Sequence, residues 1–351
     1  MKYRIIISIL LIVTLSAVLL ESCKKAGSNG RNVQPTNLQF TIPAGWPQPP
    51  INIFADNPLT QEGFELGKKL FYDGRLSKDG NFPCASCHQQ FAAFATYDHQ
   101  FSHGFNNTFT TRNAPPIFNL AWMKEMHWDG GINHIEVQPL APLTALNEMA
   151  ENINNVLGKL KADSSYTRMF SAAFGDPAIN SQRMLKAFSQ FLGSIQSYNS
   201  KFDQVKRGEA SFTPAEESGY NTFKVKCNAC HTEPLFTDNS FRNNGLQLDA
   251  DLQDIGRMRI TGNSADSLKF KVPSLRNVEL TFPYMHDGRA FSLGQVIDHY
   301  RSAIFINQPT LDPLLKNRLP ISNQEKADLL EFLRTLTDHV LLKDKRFQQP
   351  L

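Results

Sequence analysis

The chain has no block of basic residues. Across 351 positions, 36 Lys and Arg stand against 33 Asp and Glu, a net charge of +3, so nothing in its charge points to nucleic acid. Tyrosine and tryptophan are scarce, 8 and 3 beside 26 phenylalanines, a balance that suits apolar pockets. No alternating apolar and polar run is long enough to make a useful strand. The longest apolar run, Ile5–Leu20, falls short of the roughly 20 residues a bilayer span needs. Cysteine is scarce too, and its five residues are not scattered.

Lys2 and Arg4 precede the apolar run, the flanks of an export signal. The run ends Leu20-Glu21-Ser22-Cys23, which resembles a bacterial lipobox, where the cysteine becomes the lipidated first residue. Glu21 departs from the small or apolar residue usual there, and an ordinary signal peptide or uncleaved anchor is the competing reading. Residues 1–22 are therefore expected as a signal and 23–48, opening KKAGSNGRNVQPTN, as a flexible tether. In each case the folded part lies outside the cytoplasm, in the periplasm or on the outer membrane by a lipid anchor. The remaining length suffices for two domains.

The other four cysteines form C84-A-S-C87-H88 and C227-N-A-C230-H231. Two disulfides are the ordinary expectation for an exported chain, and a zinc ribbon also pairs C-x-x-C units, at closer spacing. Neither explains a histidine directly after each pair. Covalent haem attachment does: the thiols form thioethers with the haem vinyls and the next imidazole reaches the iron. Cys84, Cys87, Cys227 and Cys230 are thus expected to hold two haems c, with His88 and His231 as proximal ligands.

Apolar spacing predicts helices at Gln61–Leu70, Asn147–Lys161, Ser181–Tyr198, Leu293–Arg301 and Asn323–Leu336. Another is predicted over Thr213–Lys226, where Thr213, Pro214 and Glu216 make a capped start. A helix leading into C-x-x-C-H is the local plan of a cytochrome c. The fold expected is mainly α, two cytochrome c-like haem domains with long ordered loops, residues 49–200 and 201–345, divided near Ser200–Phe212.

RNAPPIFN (Arg112–Asn119), HWDGGINHIEVQPLAP (His127–Pro142), LNEM (Leu146–Met149), FTDNSFRNNGL (Phe236–Leu246) and FKVPSLRNVELTFPYMHDGR (Phe270–Arg289) resemble the bacterial di-haem cytochrome c peroxidases and their relative MauG, which matures a tryptophan-derived cofactor. The resemblance runs from about Leu59 to Leu336. It implies a peroxidatic first haem and an electron-delivering second one. It also implies Trp128 as an electron relay between them, Gln138, Pro142 and Glu148 in the distal pocket of the first, and a calcium site using Asn113, Thr281 and Pro283. A carboxylate at that place can take a proton from one peroxide oxygen and return it to the other. The competing reading of Glu148 is a solvated acid in the first turn of the 147–161 helix. Trp128 is alternatively a core aromatic.

Two positions depart from the pattern. His103 stands two residues further from Arg112 than the distal histidine of many relatives, so it is either that ligand or a surface histidine. Where the peroxidases carry a methionine, fourteen residues after His286, this chain has Tyr300, as MauG does. Tyr300 is the expected sixth ligand of the second haem, with Met285 or Met258 as substitutes.

Three functions follow in order. The first is a hydrogen peroxide reductase fed by a small cytochrome c or copper protein. The second is a MauG-like oxidase of a protein or organic substrate, and the third a non-enzymatic electron-transfer or haem-sensor protein. Homodimerisation is left open.

Overall fold

Each half of the chain is built on two helices that cross at a glycine. In a computed structural model describing residues 34–350, α1 (Gln61–Tyr72) starts where the Thr60 hydroxyl accepts from Gly63 N, with Glu62 in its positive first turn. After α2 (Ile153–Lys161) and α3 (Ser164–Phe174), α4 (Ser181–Ser194) crosses it at Gly67. A Cβ on Gly67 would run into the Ala187 carbonyl. The second half holds α5 (Lys201–Lys206), α6 (Pro214–Lys226), α7 (Leu293–Asp298) and α8 (Asn323–Arg334). Reciprocal caps, Thr213 with Glu216 and Ser322 with Glu325, start α6 and α8. These two meet at Gly219, where a Cβ would strike the Asp328 carbonyl. Strand is confined, among the described residues, to β1 (Phe241–Arg242) antiparallel to β2 (Phe270–Lys271). The fold is mainly α with long ordered loops, as expected.

Phenylalanine makes the core. One cluster gathers Phe64, Phe71, Phe94, Phe118, Phe188 and Phe191; the other gathers Phe202, Phe223, Phe236 and Phe332. Burying one such side chain contributes about 1.5–3 kcal/mol, whereas isolated helices below about 12–15 residues are marginal in water. Packing therefore holds these short elements. The end of the chain returns to the first cluster through Leu341 and Phe347, and Tyr72 Oη donates to Phe347 O at 2.6 Å.

The two halves repeat one construction. Asn119 (φ 55°) donates its backbone N–H to Ile195 O (2.8 Å), and Asn277 (φ 57°) to Leu336 O (3.0 Å). A bridge from Met126 to Ile132 closes a turn with His127 and Gly130 at φ 65° and 75°. A bridge from Tyr284 to Ala290 closes its counterpart, with Met285 and Gly288 at φ 74° and 67°. Aligned on the two asparagines, Trp128 occupies the place of His286, and Asn113 that of Lys271. The halves also bond each other reciprocally: Asn113 N donates to His286 O (2.8 Å) and Lys271 N to Trp128 O (2.7 Å). Arg112 reinforces the junction, reaching Asp129 at 2.5 Å and Asp254 at 2.6 Å.

Several boundaries differ from expectation. The helix predicted from Asn147 starts at Ile153, because Asn152 is the residue whose side chain caps it. The 181–198 and 323–336 helices end at Ser194 and Arg334. The 293–301 helix ends at Asp298 and opens into a wider π-type turn, His299–Ala303. The tether expected through Gln48 is already bound from Thr36: Thr36 N donates to Glu62 Oε2 (2.8 Å), Leu38 N to Leu59 O (2.9 Å), and Trp46 packs edge-on against Trp122. Cys23 and the export segment lie outside the described residues.

Candidate active site

Cys84–Cys87 is a single helical turn after Pro83, and His88 N donates back to Cys84 O (3.0 Å). The turn projects both thiols and the imidazole from one short segment. The His88 ring sets Nδ1 against Phe94 O at 3.0 Å. A carbonyl can only accept, so Nδ1 carries the proton and Nε2 keeps a free lone pair, the form a metal ligand needs. Burial lowers the His88 pKa to about 4 and keeps the ring neutral. The second unit repeats this at the end of α6. His231 N donates to Cys227 O (3.0 Å), and its Nδ1 lies 3.2 Å from Phe236 O and 3.1 Å from Pro273 O. Burial again pushes the ring toward its neutral form. Phe94 and Phe236 both adopt left-handed backbone, φ 59° and 56°, to present those carbonyls. Cys84, Cys87, Cys227 and Cys230 are not paired with one another.

One cavity collects the residues expected around the first haem. Cys84, Cys87, His88, Gln138, Pro142 and Glu148 all line it, with His103 at an exposed part of the rim. Phe71, Ile117, Leu120, Phe188 and Leu192 give it apolar walls. An apolar slot with two thiols, a neutral imidazole and few polar groups has the lining a covalently held haem needs.

Glu148 sits in a turn, not in a helix, so the helix-start reading of this residue fails. Its N–H donates to Ala145 O (3.0 Å) and its carbonyl accepts from Phe105 N (2.7 Å). Gly104 presses so closely on Asn147 and Glu148 that no Cβ fits there. Burial alone raises the Glu148 carboxyl pKa, the direction that suits a group exchanging a proton with substrate.

Trp128 lies outside the cavity lining. Its Nε1 donates to Asn113 O at 2.9 Å and its own carbonyl accepts from Lys271 N. It therefore touches both halves. Asn113 is buried, with Nδ2 at 3.3 and 3.2 Å from the carbonyls of His99 and Gln100. Thr281 and Pro283 stand on the segment leading to His286, which Asn113 N holds.

Around the second haem unit, Tyr300 falls in the π-type turn, a distortion frequent at functional sites. Burial pushes its phenol up to about 12, while the Asn244 side chain opposes this and the Cys227 and Cys230 thiols add to it. The attachment cysteines are thus near enough for their charge to bear on the phenol. His299 sets its Nε2 2.9 Å from Asn244 O. Met285 Sδ accepts from Asn244 Nδ2 at 3.6 Å. Roles for Asn244, Phe94, Phe236 and Gly104 do not follow from the sequence reading, although Phe236 and Asn244 lie within the stretch FTDNSFRNNGL.

Residues 61–211 match the family model described as di-haem cytochrome c peroxidase. Methylamine utilization protein MauG of Methylorubrum extorquens is 34% identical over 317 residues, covering 89% of this chain and 87% of its own. Cytochrome c551 peroxidase of Nitrosomonas europaea is 33% identical, covering 81% and 83%. Among solved structures, a MauG-like protein associated with microbial copper homeostasis superposes with a TM-score of 0.81 at 34% identity, over 89% of this chain and 99% of that one. With two haem-attachment units of one design and this extent of likeness, the chain belongs to the di-haem cytochrome c peroxidase family.

Proposed function

We propose that this protein reduces hydrogen peroxide to water in the Glu148 cavity, drawing electrons through the second haem site from a small cytochrome c or copper protein outside the cytoplasm. The observation that supports it is the convergence of Glu148 and Gln138 on the cavity that holds Cys84, Cys87 and His88. When bound, the haems supply the redox-active irons. The chain does the rest. His88, neutral and fixed at Nδ1, would offer Nε2 to the iron of the first haem; Gln138 orients peroxide through its amide. Glu148 as carboxylate takes the proton from the near peroxide oxygen and delivers it to the far one, so that the O–O bond breaks with water as leaving group. The near oxygen leaves as a second water with two electrons from the donor protein and two protons from solvent. Trp128, tied to both halves, relays electrons across the junction. In this reading residues 49–200 form the peroxidatic domain and 201–345 the electron-transfer domain. The test is turnover with peroxide and reduced cytochrome c: donor oxidation well above a control without the protein is expected, and none, with both haems attached, would overturn the reading.

A second reading, a MauG-like oxidase of a protein or organic substrate, is favoured by a tyrosine, Tyr300, whose phenol feels the charge of Cys227 and Cys230. A phenolate is a hard anionic donor that stabilises ferric iron, and axial ligand identity is a main lever on haem potential. Tyr300→Met is expected to raise the second haem's potential and shift its absorption bands. An unchanged potential in Tyr300→Phe, with a changed one in Met285→Ala, would make Met285 the ligand. The non-enzymatic reading has no use for Glu148 and Gln138 in one cavity.

Calcium belongs to the same proposal. The Asn113 amide N–H donates to the carbonyls of His99 and Gln100, which leaves its Oδ1 as the side-chain oxygen for the ion, with Thr281 and Pro283 as the further donors; oxygen ligands suit this hard cation. Chelation is expected to change the haem spectrum reversibly. A chelator-insensitive spectrum, with no calcium by elemental analysis, would remove the site.

A further inference from the structure

We propose that His286 is a positioning residue for Trp128, bracing both ends of the tryptophan across the junction of the two halves. The inference rests on the reading of Trp128 as a relay and adds the group that holds it in place. Trp128 is fixed at two points, its indole N–H on Asn113 O (2.9 Å) and its carbonyl under Lys271 N (2.7 Å). Each of the two holding residues is in turn tied to His286. Asn113 N donates to His286 O at 2.8 Å. The Lys271 N–H belongs to the peptide it shares with Phe270, and the His286 ring lies flat on the Phe270 ring, centroids 3.7 Å apart and planes 13° from parallel.

The contacts thus form a closed loop: His286 backbone to Asn113, Asn113 to the indole, the Trp128 carbonyl to Lys271, and Phe270 back to the His286 ring. His286 and Phe270 are both buried, so the stack is not loosened by solvent. Arg112 adds a cross-tie, since its guanidinium bonds Asp129, next to Trp128, and lies 5.7 Å from the Phe270 ring centre. A Cβ at Gly130 would collide with Arg257 and Phe241, so the turn carrying Trp128 is hemmed in on that side as well.

The brace also explains the duplication. His286 stands where Trp128 stands in the other half, so the two turns grip each other by the same bond in both directions. One of them carries a redox-active indole; the other carries a flat ring that stacks and fixes.

The test uses the two-haem protein and two readouts: amide hydrogen exchange at Lys271 and Asn113, and the rate of electron transfer between the haems. His286→Ala removes the stack but keeps the backbone bond. It is expected to speed exchange at Lys271 and to slow transfer on the order of tenfold, since small displacements of a positioned group have large kinetic effects. His286→Phe, which can restore the stack, is expected to restore both. In a Trp128→Phe background, His286→Ala should slow transfer no further. Wild-type exchange at Lys271 in His286→Ala, or no recovery in His286→Phe, would overturn the brace. If Trp128→Phe itself transfers at the wild-type rate, the relay reading fails, and exchange at Lys271 alone decides the brace.

Discussion

Glu148→Gln is expected to lower peroxide turnover by about a hundredfold to ten-thousandfold, the usual worth of a positioned acid–base group, with both haems still attached. The substitution keeps the size of the side chain and the turn around it. The backbone bonds to Ala145 and Phe105 are untouched, so loss of turnover reports on the proton. The pH profile carries a second signature. The carboxylate is the form that accepts a proton, so activity is lost as pH falls through the Glu148 pKa. Burial raises that pKa, which places this acid limb above the roughly 4.3 of an ordinary glutamate. The Gln variant should lack the limb. Undiminished turnover in Glu148→Gln would leave the residue as part of the turn only.

The haem units were the most legible part of the sequence, because covalent attachment imposes a contiguous motif. C-x-x-C-H at 84–88 and 227–231 named the proximal ligands without any knowledge of the fold. Helices with explicit caps were equally plain: Thr213, Pro214 and Glu216 marked the start of α6 correctly. The α3 helix went unforeseen although Asp163 caps it and Tyr166, Phe170 and Ala173 recur on its buried face. Its Ser- and Thr-rich surface obscured that spacing. Glu148 was read against a helix start because acids favour first turns, and only the position of the Asn152 cap shows that the helix begins later.

Other features were beyond reach of the motifs because they depend on backbone conformation or on distant contacts. The carbonyls of Phe94 and Phe236 that orient the two histidines arise from left-handed φ at residues with no glycine-like signal. The π-type turn that carries Tyr300 breaks the 3.6-residue spacing on which the helix prediction relied. The pairing of Trp128 with His286 links positions whose side chains share no chemistry; what they share is a turn and a reciprocal bond. Phe270 gave no warning either, since a lone apolar residue reads as core until the stack on His286 is seen.

The largest effect is expected from removing one haem at a time. Cys84→Ala/Cys87→Ala/His88→Ala takes away both thioethers and the proximal ligand of the first unit, and Cys227→Ala/Cys230→Ala/His231→Ala does the same for the second. The Glu148 cavity belongs to the first unit alone, whereas the cysteines whose charge reaches Tyr300 are those of the second. If peroxide is reduced where Glu148 can move its proton, only the chain that keeps the first haem has a site for it. Intact mass establishes that each variant carries the single intended haem. The decisive measurement is then the stopped-flow absorbance response of the two single-haem proteins to hydrogen peroxide. The chain retaining the first haem should react, and the chain retaining only the second should show no response above that of buffer. A second-haem-only protein that reacts with peroxide as fast as the wild type would contradict the assignment of the Glu148 cavity as the site of reaction.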